Sequence, residues 1–167
     1  MENLYDFLAE RLNGVKKLAV LGAGSVLRAD DAAGVLVVKN LMNIFGRGGC
    51  RNLGLYAGET APENFSGKIR RFCPSHLLLI DAADAGRIPG SIMHMQPAEV
   101  GGISFCSHML PLRIMSEFLE KETGTAVTLI GIQYKNIDFD AKVTQEVQET
   151  VDEISEVLER TIRERLI

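Results

Sequence analysis

Short apolar runs without polar alternation, separated by helical patterns, constrain the fold of this chain more than any other feature of its sequence. The clearest run is HLLLI at residues 76–80, and similar runs occur at residues 16–22 and 127–132. Strands that are apolar on both faces are typical of parallel sheets covered by helices on each side. The sequence therefore predicts an α/β fold, a three-layer sandwich in which a mostly parallel sheet lies between two layers of helices.

The segments between these runs have helical patterns. Residues 31–45 are apolar nearly all round, which indicates a buried helix, whereas residues 144–167 place apolar side chains on one face and Glu and Arg on the other. Thr60 and Glu63 have the spacing of a capping box, which predicts a short helix with Thr60 as its N-cap. Because the chain contains no repeat or linker, we expect a single domain over residues 1–167.

Composition and charge argue against several classes of function. The chain has 18 basic and 22 acidic residues and a net charge of −4, and it contains no long basic run. Binding to nucleic acid is therefore not expected. No apolar run approaches the ~18 residues of a membrane-spanning helix, and the N-terminus lacks the pattern of a secretory signal. The three cysteines include no CxxC pair. We therefore expect a cytoplasmic protein that binds neither nucleic acid nor membrane.

The loop after the first predicted strand carries two adjacent carboxylates. The run GAG at residues 22–24 resembles the start of a dinucleotide-binding fingerprint, but Leu27 stands where that fingerprint has its third glycine. Asp30 and Asp31 then occupy the place where a pyrophosphate would bind, so the loop suits a cation better than an anion. One of the two aspartates is expected to cap the following helix, which leaves the other for a functional role.

Two further candidates follow later strands or precede later helices. Asp81 comes directly after the apolar run at residues 76–80, so it is predicted to end a central strand. His108 lies in a polar loop before a helix, whereas the other two histidines are assigned to strands. Ligands of open α/β sheets bind outside the carboxyl ends of the strands. Asp31, Asp81 and His108 are therefore candidates for one common site.

The chemistry of these three residues has more than one interpretation. Two carboxylates and an imidazole form an open ligand set for a divalent first-row metal ion. Alternatively, Asp31 and Asp81 share a proton and act as a metal-independent aspartyl dyad. A third interpretation is a non-enzymatic module that binds a metal ion or a nucleotide. The residues alone do not decide among the three.

Five short segments occur in a recognisable order and spacing across residues 17–160. In chain order they are Gly22-x-Gly24-Ser25-x-Leu27-x-x-Asp30-Asp31-x-x-Gly34, Ala61-Pro62-Glu63-Asn64, Leu79-Ile80-Asp81-Ala82-x-Asp84, His108-x-x-Pro111-Leu112 and Leu129-Ile130-Gly131-Ile132-Gln133. Together they resemble the maturation endopeptidases of nickel–iron hydrogenases. The APEN segment and the GIQ strand end resemble most closely the branch that serves hydrogenases of the formate-hydrogenlyase type.

The resemblance implies a cytoplasmic endopeptidase with a twisted five-stranded sheet between helices. Members of that family remove a short C-terminal extension from the hydrogenase large-subunit precursor after nickel has been inserted. Their nickel-recognising residues, carried onto this sequence, are Asp31, Asp81 and His108, and the same three are expected to support catalysis. The nickel is expected to arrive with the precursor, and both a metal-assisted and an aspartyl-type hydrolysis are compatible with the resemblance.

Overall fold

A computed structural model describes residues 3–99, 104–105 and 109–167 of the chain. The strands of this part are β1 (Leu18–Ala23), β2 (Leu53–Glu59), β3 (His76–Asp84), β4 (Ile92–Met95), β5 (Ser104–Phe105) and β6 (Ala126–Gln133). The α-helices are α1 (Leu4–Arg11), α2 (Ala33–Phe45), α3 (Ser66–Phe72), α4 (Met109–Thr123) and α5 (Gln145–Arg165). Short 3₁₀ turns lie at Ala29–Ala32, Pro62–Phe65 and Pro97–Glu99. The predicted alternation of strands and helices is confirmed.

The strands form one sheet whose main path has the order β2-β1-β3-β6-β4. The first four strands of this path are parallel, and β4 runs antiparallel to β6 at the edge. The two-residue strand β5 pairs with the end of β3, outside the main path. The prediction of a mostly parallel five-stranded sheet is therefore confirmed, with β5 as a short addition that the sequence did not indicate.

The order of the strands creates a switch point between β1 and β3. From β1 the chain moves to β2 on one side, and it then crosses over to β3 on the other side. At such a point the loops that leave the carboxyl ends of the two strands diverge and open a crevice, which is where ligands bind in open α/β sheets. The topology therefore indicates that a ligand site, if present, involves the residues after β1 and at the end of β3.

Helices cover both faces of the sheet, as the three-layer prediction requires. Leu78 and Ile80 of β3 belong to the core on the side of α1, α2 and α5. Leu77 and Leu79 belong to the core on the side of α3 and α4. Since neighbouring residues of a strand point to opposite faces, the continuous apolar run of β3 serves both cores.

The longest helix, α5, is amphipathic in the way its sequence predicted. It spans 21 residues. The apolar residues of its buried face are Val147, Val151, Ile154, Leu158 and Ile162. Charged residues cover its other face, so the helix docks on the sheet along a single stripe. Nowhere in the described ranges does a helix combine the length and the apolarity that a bilayer crossing requires.

The predicted capping box at residues 60–63 is wrong. The chain forms the 3₁₀ turn Pro62–Phe65 with Ala61 as its N-cap, no side chain caps that turn, and α3 starts only at Ser66. Proline fixes its own φ angle and has no N–H to be capped, so the turn begins at Pro62 and leaves Thr60 outside.

His76, at the start of β3, is buried and held as a neutral imidazole. Its Nε2 lies 2.9 Å from the hydroxyl oxygen of Thr128 on β6. Burial, with a smaller contribution from the positive charge of Arg11, lowers the pKa of His76 from 6.5 to about 4. The group therefore stays uncharged in the folded protein at pH values where the unfolded chain already protonates it.

Acid is expected to destabilise the protein through His76. Between pH 6.5 and about 4 the unfolded chain binds a proton at His76 and the folded chain does not, so the free energy of unfolding falls as the pH falls. The pKa difference corresponds to at most ~3 kcal/mol. His76→Gln should show a flatter pH dependence in urea denaturation between pH 7.5 and 4.5. An unchanged slope in this variant would contradict the assignment.

Candidate active site

The carboxyl edge at the switch point carries both Asp31 and Asp81. Pairing between β1 and β3 ends with Gly22 opposite Ile80, and Asp81 is the next residue of β3. The 3₁₀ turn Ala29–Ala32, which contains Asp31, contacts β3. The structure therefore places these two predicted site residues at the same edge, Asp31 in the turn between β1 and α2 and Asp81 on the neighbouring strand β3.

Two glycines permit this close packing. A Cβ atom on Gly34, in the first turn of α2, would overlap the carbonyl oxygen of Ile80. A Cβ atom on Gly24 would overlap the carbonyl oxygen of Asp31, and Gly24 has a φ angle of 129°, which other residues rarely adopt. The loop and α2 can therefore lie directly against β1 and β3 because both positions are glycine.

Asp30 is fully buried and joins two distant loops. Its Oδ2 accepts hydrogen bonds from the N–H groups of Lys135 (2.9 Å) and Asn136 (3.0 Å) and from the hydroxyl of Thr144 (3.0 Å). Its Oδ1 accepts a hydrogen bond from the N–H of Thr144 (2.7 Å), the residue that precedes α5. Asp30 thus provides the hydrogen-bond acceptor for donors at the start of α5 and in the loop before it, so its role is structural.

The prediction that one of the two aspartates caps the following helix is wrong. The N-cap of α2 is Ala32, and no side chain caps this helix or the 3₁₀ turn before it. The carboxylate of Asp30 is directed to α5 instead, because the loop after β6 offers it several unpaired N–H groups at once.

Asp31 is almost fully buried, but only half of its carboxylate is satisfied. Oδ2 accepts a hydrogen bond from the N–H of Ser25 at 3.0 Å. Oδ1 is also buried, and none of the residues in the described ranges gives it a hydrogen bond. A buried carboxylate oxygen without a partner is costly, and in native proteins such an atom binds a water molecule or an ion or has a catalytic role. The chemistry of this oxygen fits a divalent ion.

Asp81 lies within β3 and not at its end. The strand continues to Asp84 and pairs with β6 over this extension, so the predicted strand end is wrong by three residues. Asp81 nevertheless lies just beyond the last pair with β1, and it is 1% exposed. Alternation places it on the same sheet face as Leu79, the face covered by α3 and α4.

His108, the third predicted site residue, lies outside the described residues. Helix α4 begins at the next residue, Met109, and packs on the sheet face of Asp81. The other two histidines lie in strands, as predicted: His76 begins β3, and His94 in β4 stacks on an aromatic ring of α1 at 3.7 Å between centroids. Within residues 3–99, 104–105 and 109–167 no three metal-ligating side chains form a cluster, so the three-residue set depends on His108.

Gln133, the last residue of β6, has a role that the sequence analysis missed. Its Oε1 accepts hydrogen bonds from the N–H groups of Ala85 (2.8 Å) and Arg87 (3.2 Å), and its Nε2 donates one to Asp84 (3.1 Å). A glutamine amide offers both a donor and an acceptor, so this side chain fixes the turn that follows β3. The sequence feature that could have indicated this role is the position of Gln133 directly after an apolar run, the same feature that indicated Asp81.

A groove of about 430 Å³ lies on the sheet face of Asp81, between α4 and the 3₁₀ turn at residues 62–65. The residues that line it are Glu63, Ser66, Ile114, Met115 and Phe118. Nearly all of the surface that lines the groove is apolar. Its volume is in the range of small-ligand and peptide side-chain pockets.

Comparisons with known proteins identify the family. Residues 35–161, which make up most of the chain, match the family model HycI, described as hydrogenase maturation protease. This chain belongs to the hydrogenase maturation protease family. It is therefore an endopeptidase, and the interpretation as a non-enzymatic binding module is wrong.

Relatives of this protease family cover nearly the whole chain. A protein of Methanocaldococcus jannaschii, provisionally named hydrogenase maturation protease, is 34% identical over 163 residues, which are 95% of this chain and 96% of the relative. Hydrogenase 3 maturation protease of Escherichia coli K12 is 30% identical over 141 residues, or 84% and 87% of the two chains. The crystal structure of the NiFe hydrogenase maturation protease HycI from Thermococcus kodakarensis superposes with a TM-score of 0.85 at 25% identity, over 94% of this chain and 99% of that chain.

The two adjacent aspartates should differ in their effect on stability. Asp30→Ala is expected to lower the free energy of unfolding by about 3–5 kcal/mol, because several buried donors lose their acceptor at once. Asp31→Asn should change it by less than about 1 kcal/mol, because the amide keeps an oxygen for the N–H of Ser25. Urea denaturation of both variants measures the difference, and equal losses would contradict the division of roles.

Proposed function

We propose that this protease removes the C-terminal extension from a nickel-loaded hydrogenase large-subunit precursor. The observation that carries the proposal is the buried Oδ1 of Asp31, which finds no hydrogen-bond donor in the part of the chain that the structure describes. Such an oxygen supports a site that a cation completes. Membership in the family supports the substrate class, since the Escherichia coli relative is named for the maturation of hydrogenase 3.

Asp31, Asp81 and His108 are the residues to which we assign nickel recognition and catalysis. The burial of both carboxylates at the switch point supports this assignment. His108 directly precedes α4, a helix that packs on the sheet face of Asp81. Two carboxylates and one imidazole suit divalent nickel. In this proposal the ion belongs to the precursor, and the protease supplies further ligands to it.

Recognition of nickel gives a physical basis for substrate selection. Oδ1 of Asp31 is buried at the carboxyl edge of the sheet without a donor from the described residues, and a precursor that lacks the ion leaves this oxygen without a partner. A nickel-loaded precursor supplies that partner, so that the binding energy orients the scissile bond toward the proposed site. A divalent ion next to a peptide carbonyl also supplies Lewis-acid polarisation.

An aspartyl dyad is the second candidate mechanism for the same reaction. It is favoured by the burial of two carboxyl groups at one edge of the sheet, where Asp31 is 4% and Asp81 is 1% exposed, because an aspartyl dyad is built from two such groups. Removal of nickel from the precursor distinguishes the two. Cleavage of the stripped precursor would favour the dyad, and its loss, restored when nickel is returned, would favour nickel recognition.

The cytoplasm is the compartment that we propose for the reaction. Cys50 and Cys73 are free thiols on the surface of the protein. Exposed free thiols are typical of a reducing compartment, because disulfides form and persist in oxidising ones.

Substitution at the site should abolish processing without unfolding the protein. Asp31→Asn and His108→Ala are each expected to slow cleavage of the nickel-loaded precursor at least 100-fold, because each removes a group that the reaction needs. The rate is measured from the mass of the large subunit over time. Asp152→Asn, an exposed position on α5, is the matched control and should cleave at the rate of the parent protein.

Circular dichroism and the urea midpoint of each variant separate loss of activity from loss of fold. Processing at the parental rate by folded Asp31→Asn or His108→Ala would remove that residue from the proposed site. A slow Asp152→Asn variant would show that the assay responds to surface charge and not to the site.

A further inference from the structure

Three large apolar side chains lie exposed on loops that border Asp31. Val26 and Leu27, in the loop after β1, are 45% and 58% exposed, and Phe139, in the loop after β6, is 72% exposed. We call these three residues the rim patch. The N–H of Asp140 donates a hydrogen bond to the carbonyl oxygen of Leu27 at 2.8 Å, so the two loops lie side by side at this point.

Buried polar contacts fix the two loops that carry the rim patch. Asp30 binds the loop after β6 through the N–H groups of Lys135 and Asn136, and its own N–H donates to the carbonyl oxygen of Asn136. Asp31 binds the N–H of Ser25, which fixes the loop after β1. Apolar side chains on a fixed backbone lose little conformational freedom on binding, so they are well suited to a protein interface.

We propose that the rim patch is the surface on which the folded precursor docks. This inference rests on the proposed function. Val26 and Leu27 lie five and four residues before Asp31, so a polypeptide whose scissile bond reaches Asp31 passes beside them. Exposed apolar groups next to a polar site are typical of protein-binding surfaces, and an aromatic residue such as Phe139 is a common anchor of such contacts.

The area of the rim patch argues against a second copy of this chain as its occupant. Three partly exposed side chains present on the order of 300 Å² of apolar surface, whereas a stable interface buries about 800 Å² on each partner. A contact of this size suits a transient complex between enzyme and substrate. A second copy seated on the patch would also obstruct Asp31.

The affinity for the purified nickel-loaded large-subunit precursor tests the docking surface. It is measured by biolayer interferometry in the Asp31→Asn background, with the double substitution Leu27→Ser and Phe139→Ser added. The control adds Ile44→Ser and Ile167→Ser instead. Both positions are exposed and apolar, and they lie in the last turn of α2 and just after α5, at the helix ends that lie furthest from the loops of the rim patch. We expect at least tenfold weaker binding for the first pair of substitutions and less than a twofold change for the second.

Equal affinity of the two double variants would overturn the docking surface, as would a parent protein that does not bind the precursor. A homodimer that dissociates on substitution of Leu27 and Phe139, seen by analytical ultracentrifugation, would assign the patch to a second copy and overturn it too. Binding that depends on the patch, together with no cleavage by the wild-type chain, would contradict only the proposed function.

Discussion

The buried carboxylate of Asp30 is the interaction on which the arrangement of the site depends. Its four hydrogen bonds connect the loop after β1 to the loop after β6 and to the start of α5. These partners follow Asp30 in the sequence by 105–114 residues, so one side chain fixes the relative position of two segments that are far apart in the chain. Because the carboxylate of Asp30 has its hydrogen-bond partners within the fold, its neighbour Asp31 is the residue to which we assign a ligand.

In the proposed function, the two adjacent aspartates have separate roles, a structural one for Asp30 and a ligand-binding one for Asp31. Both carboxylate oxygens of Asp30 accept hydrogen bonds from the protein itself, whereas Asp31 keeps a buried oxygen to which no described residue donates. The same loops carry Leu27 and Phe139 at their exposed tips, so the contacts that position Asp31 also position the proposed docking surface. Recognition of a protein substrate and of its nickel ion would then rely on a single rigid unit.

The sequence predicted the layers of this fold better than the details of its edge. The apolar runs of β3 and β6 identified central strands because burial on both faces leaves a continuous pattern. The 3₁₀ turn at residues 62–65 was missed because Pro62 overrides the capping signal. The candidate carboxylates were chosen from their positions after strands, but the sequence did not show the structural role of Asp30, since its partners lie more than 100 residues away and have no local signature.

The most direct test of this account is anomalous X-ray diffraction from crystals of the protein soaked in a nickel salt. The account predicts one ion bonded to Oδ1 of Asp31, with Asp81 and His108 in the same coordination sphere and with Asp30 still bonded to the loop after β6. An ion held by Asp30 instead would contradict the division between the two aspartates. A ring of His108 or a carboxylate of Asp81 too distant to share the ion would contradict the site itself.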